Sequence, residues 1–156
     1  MAKKYSPAIA EQVENYLKGI GMDHRPITDD GVITAGIQLK TVLDKVIVAF
    51  VVDKYGYVVY GLMPIKVEPD KTAVMSDFIG LVNYNIKYGS FEMDKTDGEV
   101  RFRVYNLTAN GSVSSEQIDQ AFTLVIKMLD DYGQLLLDVM NGKSTPEEAF
   151  RTASTT

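Results

Sequence analysis

The sequence predicts a single α+β domain in the order α-β-β-β-α-β-β-α, a five-stranded antiparallel sheet with helices packed on it. Three observations carry this. Two long runs of β-branched and aromatic residues, Val42 to Val52 and Tyr57 to Val67, are joined by Asp53-Lys54-Tyr55-Gly56. A second pair of strand-like runs flanks Asp97-Gly98, a favoured hairpin dipeptide. Three other segments repeat apolar residues at helical spacing: one ahead of the strands, one between the hairpins, one after them.

Ser6-Pro7 opens the first helix, over 7–18, with Ile9, Val13 and Leu17 on one face and Gly19 and Gly21 as stops. Val32 to Leu39 is a strand that Gly36 interrupts. The next two strands meet in a turn where Gly56 is expected to take a positive φ. Both are apolar at consecutive positions, whereas a half-exposed antiparallel strand should alternate. Something is therefore expected to cover part of the second face of the sheet. Pro69-Asp70 begins a helix over 70–84, ended by Asn83 and Asn85.

The second hairpin pairs Tyr88 to Asp94 with Glu99 to Tyr105. A two- or four-residue turn puts Phe91 and Met93 on the same face as Val100, Phe102 and Val104; a plain three-residue turn would mix apolar and charged faces and is rejected. Ser114 and Gln117 form a capping-box pattern ahead of a long helix over 115–141, closed by Gly142. Its main stripe includes Ile118, Phe122, Val125, Leu129 and Leu136. Leu124, Met128 and Leu135 form a second stripe roughly 100° away. The domain is expected to span 1–142, and Thr145-Pro146-Glu147-Glu148 makes 143–156 a short C-terminal helix or a flexible tail.

Composition narrows the chemistry. A net charge of −5 and a sequence pI near 4.9 disfavour nucleic acid and anionic membrane as partners. The chain has no cysteine, which removes disulfides, thiolate nucleophiles and cysteine-based metal sites. No run approaches the roughly 20 apolar residues of a bilayer span, and no signal peptide is visible, so a cytoplasmic location is expected. Glycine-rich phosphate loops, dinucleotide fingerprints and nucleophile elbows are missing from the sequence.

His24 is the single histidine, and with Asp29 and Asp30 it could form a hydrolytic or metal site; a surface-loop histidine is the plainer reading, because metal ligation needs more donors. The carboxylates Glu92, Asp94 and Glu99 share a strand face with Arg101 and Arg103, where cross-strand charge pairing accounts for them without catalysis. The alternative use of that face is a polar recognition stripe flanked by Tyr88 and Tyr105. Excess apolar surface on the 42–52 and 57–67 strands and on the long helix has two readings. Either the helices wrap the sheet thoroughly, or part of it meets another chain.

The segments Asp77-Phe78-Ile79-Gly80-Leu81-Val82-Asn83-Tyr84-Asn85, Tyr88-Gly89-Ser90-Phe91-Glu92-Met93-Asp94 and Asp97-Gly98-Glu99-Val100-Arg101-Phe102-Arg103 resemble the YbjN family of bacterial sensory transduction regulators. The resemblance spans roughly residues 5–142. It implies a type III secretion chaperone-like fold, a group whose members are homodimers that hold extended segments of client proteins. No catalytic residue or cofactor comes with it. The expectation is therefore a non-enzymatic protein-interaction module, chaperone-like or regulatory, forming a homodimer through the sheet or the long helix and taking a protein or peptide client. Its candidate surface comprises Tyr88, Glu92, Arg101, Arg103, Tyr105, Leu124, Met128 and Leu135. A small-molecule sensor with a pocket between sheet and helix is the alternative.

Overall fold

The computed structural model describes residues 2–108 and 110–155. Helix α1 (Pro7–Gly19) starts where the Ser6 hydroxyl accepts the Ile9 N–H at 3.3 Å. Strands β1 (Val32–Gln38), β2 (Lys45–Val52) and β3 (Gly56–Leu62) follow. A 3-10 turn at Pro69–Lys71 leads into α2 (Thr72–Asn85), and β4 (Ser90–Met93) and β5 (Val100–Leu107) form the second hairpin. The reciprocal Ser114–Gln117 capping box opens α3 (Ser115–Met140), and a second box, Thr145–Glu148, opens α4 (Pro146–Ser154). Among the described residues no helix is long and apolar enough to cross a membrane.

The sheet order is β1-β2-β3-β5-β4, antiparallel throughout. Phe91 pairs with Phe102 and Met93 with Val100. The Asp94 N–H reaches the Glu99 carbonyl at 2.9 Å, which leaves a four-residue turn, one of the two lengths that side-chain parity allows. Within that turn, hydrogen bonds from Lys66 and from the Glu99 N–H hold the Asp97 carboxyl below the usual carboxylate range.

Three local expectations are corrected. Gly36 does not interrupt β1: it pairs with Ile47 inside a continuous register. Gly56 is not left-handed. A Cβ there would sit 2.1 Å from the Asn106 carbonyl oxygen, so glycine is required by the close approach of β5. The turn takes its shape from Asp53, whose Oδ1 accepts the N–H groups of Tyr55 and Gly56 at 2.6 and 2.8 Å. The central strands are also shorter than their apolar runs. Asp44, at φ 58°, places Val42 in a turn before β2, and β3 ends just ahead of Pro64.

Packing is one-sided. Ile33, Ala35 and Ile37 of β1, Val46, Val48, Phe50 and Val52 of β2, Tyr57 and Val59 of β3, Phe91 of β4 and Val100, Phe102 and Val104 of β5 are all buried on one face. Helix α3 lies on that face across β2, β3 and β5, with α1 against α3 and β2. Rings join these layers: Phe122 stacks on Phe50 at 5.9 Å and meets Tyr16 edge-on at 6.0 Å. Helix α4 packs against α2 and α3 through buried Pro146 and Ala149.

The edges of the sheet are treated differently. The Asn83 side chain of α2 clamps β4, accepting the Phe91 N–H at 2.9 Å and donating to the Phe91 carbonyl at 2.8 Å. At the other edge, the 22–31 loop pairs with β1 through the Arg25 N–H to Thr34 O and the Thr28 N–H to Val32 O.

Tyr16 also ties α1 to α3 by donating its hydroxyl to Asp119 at 2.6 Å. Burial first, then that hydrogen bond and the Asp119 charge, raise its phenol above the ordinary value of 10.0. A group with a raised folded-state pKa lends stability that is complete below its unfolded value and fades as pH climbs toward the folded one. Unfolding midpoints in urea should therefore fall as pH rises above about 10. Tyr16→Phe should flatten that slope; an unchanged slope would mean the hydroxyl contributes nothing.

Candidate interaction face

The catalytic candidates do not assemble. His24 Nδ1 lies 3.0 Å from its near neighbour, the Met22 carbonyl, and Asp30 pairs with Lys4 at 2.9 Å. The cleft beside His24, about 610 Å³, is lined by Asp23, Arg25, Gly36 and Lys45 among others, with neither Asp29 nor Asp30 on its wall. Among the described residues no group of three histidine or carboxylate side chains is placed to hold a metal ion.

The face of the sheet turned away from the helices is open. The chain's own helices do not wrap it, which corrects the reading that they cover both faces. Its residues follow from pairing registers, because side chains directly opposite one another share a face. One row runs Val32, Val51, Val58, Tyr105. The next runs Thr34, Ala49, Tyr60, Arg103, Ser90, and the third Gly36, Ile47, Leu62, Arg101, Glu92. Ile47 is 50% exposed, Tyr105 46% and Leu107, beyond the rows, 69%. Val51, Val58, Tyr60 and Leu62 are half-buried by their cross-strand neighbours.

Apolar side chains dominate the middle of β2 and β3 on this face; charge lies at its two sides, Lys45 next to Gly36 toward β1 and Glu92, Arg101 and Arg103 on β4 and β5. Arg101 donates its Nε to Glu92 Oε1 at 2.6 Å and lies 4.0 Å from the centre of the Tyr60 ring. Its Nη1 is 3.9 Å from Glu99, and Arg103 Nη1 is 3.5 Å from the second Glu92 oxygen. In this partly solvated setting each ion pair contributes on the order of 0.2–1 kcal/mol, and the cation–π contact about the same. Their effect is positional: a flat, charge-balanced border beside an apolar centre.

Four of the candidate residues, Glu92, Arg101, Arg103 and Tyr105, therefore lie together on the open face. Tyr88 and Leu124 do not; they line a separate cleft of about 490 Å³ between α3 and β5. Met128 and Leu135 are half-buried against the core along α3. Sequence reasoning missed Ile47, Val51, Val58, Tyr60 and Leu62. Their signal was parity: Lys45, the polar residue at the head of β2, shares its face with Ile47, Ala49 and Val51.

The comparisons with known proteins agree with this architecture. A chain in a solved structure described as the crystal structure of the ExsC-ExsE complex superimposes with a TM-score of 0.61 at 13% identity, covering 84% of this chain and 95% of that one. At that identity the likeness shows the fold, and it supports the type III secretion chaperone-like architecture expected from the sequence. No curated protein matches the chain. The sequence profile of YbjN, described as "Putative bacterial sensory transduction regulator", matches residues 10–138, and the chain belongs to the YbjN family.

Proposed function

We propose that this protein is a non-enzymatic protein-binding module, chaperone-like or regulatory, that works in the cytoplasm as a homodimer and holds a segment of a client protein. The observation that carries the reading is the open sheet face, with an apolar centre built from β2 and β3 and a charge-balanced border at Glu92, Glu99, Arg101 and Arg103. Such a centre and rim are the composition of a protein interface, and a two-fold dimer presents one patch to its own copy. The superimposed fold comes from a two-protein complex, ExsC-ExsE, which supports a protein client here. Of the candidate residues, Glu92, Arg101, Arg103 and Tyr105 serve this face, whereas Met128 and Leu135 serve the core.

Light scattering over a range of concentrations tests the dimer. The expected result is a mass of two chains that falls toward one on dilution. A strict monomer at every concentration would reject it. The alternative, a small-molecule sensor, has the α3–β5 cleft as its place, and that cleft is open to solvent rather than enclosed.

A further inference from the structure

Strand β5 is longer than its partner β4, and the difference leaves a notch in the sheet. β4 pairs with β5 from Met93–Val100 back to Ser90–Arg103 and stops there. The cause is Gly89, at φ 83°, which turns the chain off the sheet; a Cβ there would lie 2.5 Å from the Arg103 carbonyl oxygen. β5 continues for four residues, Val104 to Leu107, paired on one side only, with β3.

Backbone direction alternates along a strand. The Phe91 N–H and C=O turn outward to Asn83, so Ser90 and Glu92 bond inward to Arg103 and Arg101. At the far end the Thr108 N–H turns the opposite way, to Tyr55 O at 2.8 Å. Tyr105 and Leu107 therefore direct their N–H and C=O groups into the notch, and among the described residues nothing pairs with them. Below this edge lies the α3–β5 cleft, with Val104, Ala121 and Leu124 as its apolar walls and no charged side chain in its lining. Asn106 spends its Nδ2 on the Tyr57 hydroxyl, and Gln117 Oε1 caps α3.

We infer that the notch is a strand-addition site: an extended, uncharged segment of a partner protein pairs with Tyr105 and Leu107 along the line β4 abandons and sets an aliphatic side chain into the cleft. The occupant follows from what is left unsatisfied. Backbone donors and acceptors on a strand edge are complementary to another strand, and an uncharged cleft on the helix side, with Val104, Ala121 and Leu124 among its amide-bearing walls, suits an aliphatic side chain better than a charged one. The other edges are less suited: Asn83 closes β4, and the cleft along β1 is walled by Asp23, Arg25 and Lys45. The inference rests on the protein-binding reading and uses the backbone edge of β5 and the cleft on its helix side, while the Tyr105 side chain itself belongs to the open face.

The test uses the whole chain and short capped peptides alternating threonine with valine or leucine, with versions N-methylated at the edge-facing amides. Binding should slow hydrogen exchange at the Tyr105 and Leu107 amides, and N-methylation should abolish it. Leu107→Pro removes one outward donor and should weaken binding roughly tenfold, while Leu107→Asn, which keeps the N–H, should stay within about twofold. Gln120→Trp, at an exposed position of α3, should obstruct the cleft without touching the core and also weaken binding. Protection at Gly36 instead, changes confined to Ile47, Tyr60 and Leu62, or no binding by any peptide would each overturn the notch. None of these would reject the protein-binding reading, which the mass measurement judges separately.

Discussion

Phe50→Ala is expected to lower folding stability by about 3–5 kcal/mol, the upper range for a single core substitution. Phe50 is fully buried at the middle of β2, stacked on Phe122 of α3 at 5.9 Å and tilted against Tyr57 of β3 at 6.3 Å. Through Phe122 the contact extends to Tyr16 of α1, so one ring couples the sheet to two helices. Alanine leaves a void where three elements converge, and the neighbours that would have to collapse into it are themselves large rings held on separate elements. A total stability of about 5–15 kcal/mol makes this loss a large fraction of the whole. Urea unfolding followed by circular dichroism should show a much lower midpoint with an unchanged slope. A loss below about 1 kcal/mol would mean that the aromatic seam is not what joins the layers.

Much of this architecture is legible in the sequence because it rests on local chemistry. The caps at Ser6, Ser114 and Thr145 are short-range hydrogen bonds, and the parity of Phe91 and Met93 against Val100 and Phe102 follows from strand geometry. Strand ends were less legible. Val42 and Val67 have strand-forming side chains, but Asp44 and Pro64 decide where pairing begins and stops. Gly56 shows the same limit: a turn glycine suggests a positive φ, yet its reason is a carbonyl from a strand fifty residues later. The Asn83 clamp on Phe91 likewise depends on where α2 comes to rest.

The candidate site divides along the same line. Glu92, Arg101 and Arg103 could be placed on one face because registers convert sequence separation into adjacency. Leu124, Met128 and Leu135 share a helix stripe, but periodicity does not say what a stripe faces: all three rest against the core, and Leu124 also borders a cleft. Consecutive apolar residues on β2 and β3 suggested a covered second face. Within the chain that face is open, and half-burial of Val51, Val58 and Tyr60 comes from their neighbours across the strands.

Ile47→Asp and Tyr105→Asp bear on what that open face is for. Both side chains are about half exposed on strands whose opposite face is packed, so either change should cost the fold no more than about 1 kcal/mol. Their effect on self-association should be far larger. In a two-fold dimer each substitution occurs twice, so the double variant would bury four carboxylates among apolar side chains; Lys45 beside position 47 and Arg103 beside position 105 offset only part of that cost. A penalty of about 3 kcal/mol or more corresponds to a dissociation constant raised over 100-fold, so the double variant should sediment as a single folded chain at concentrations where the parent is paired. Arg103→Gln, at the rim, should act more weakly and chiefly through the salt dependence of association. Should the parent dimerise and the double variant keep both its mass and its fold, the copies must meet elsewhere, with the long helix α3 the next surface to test.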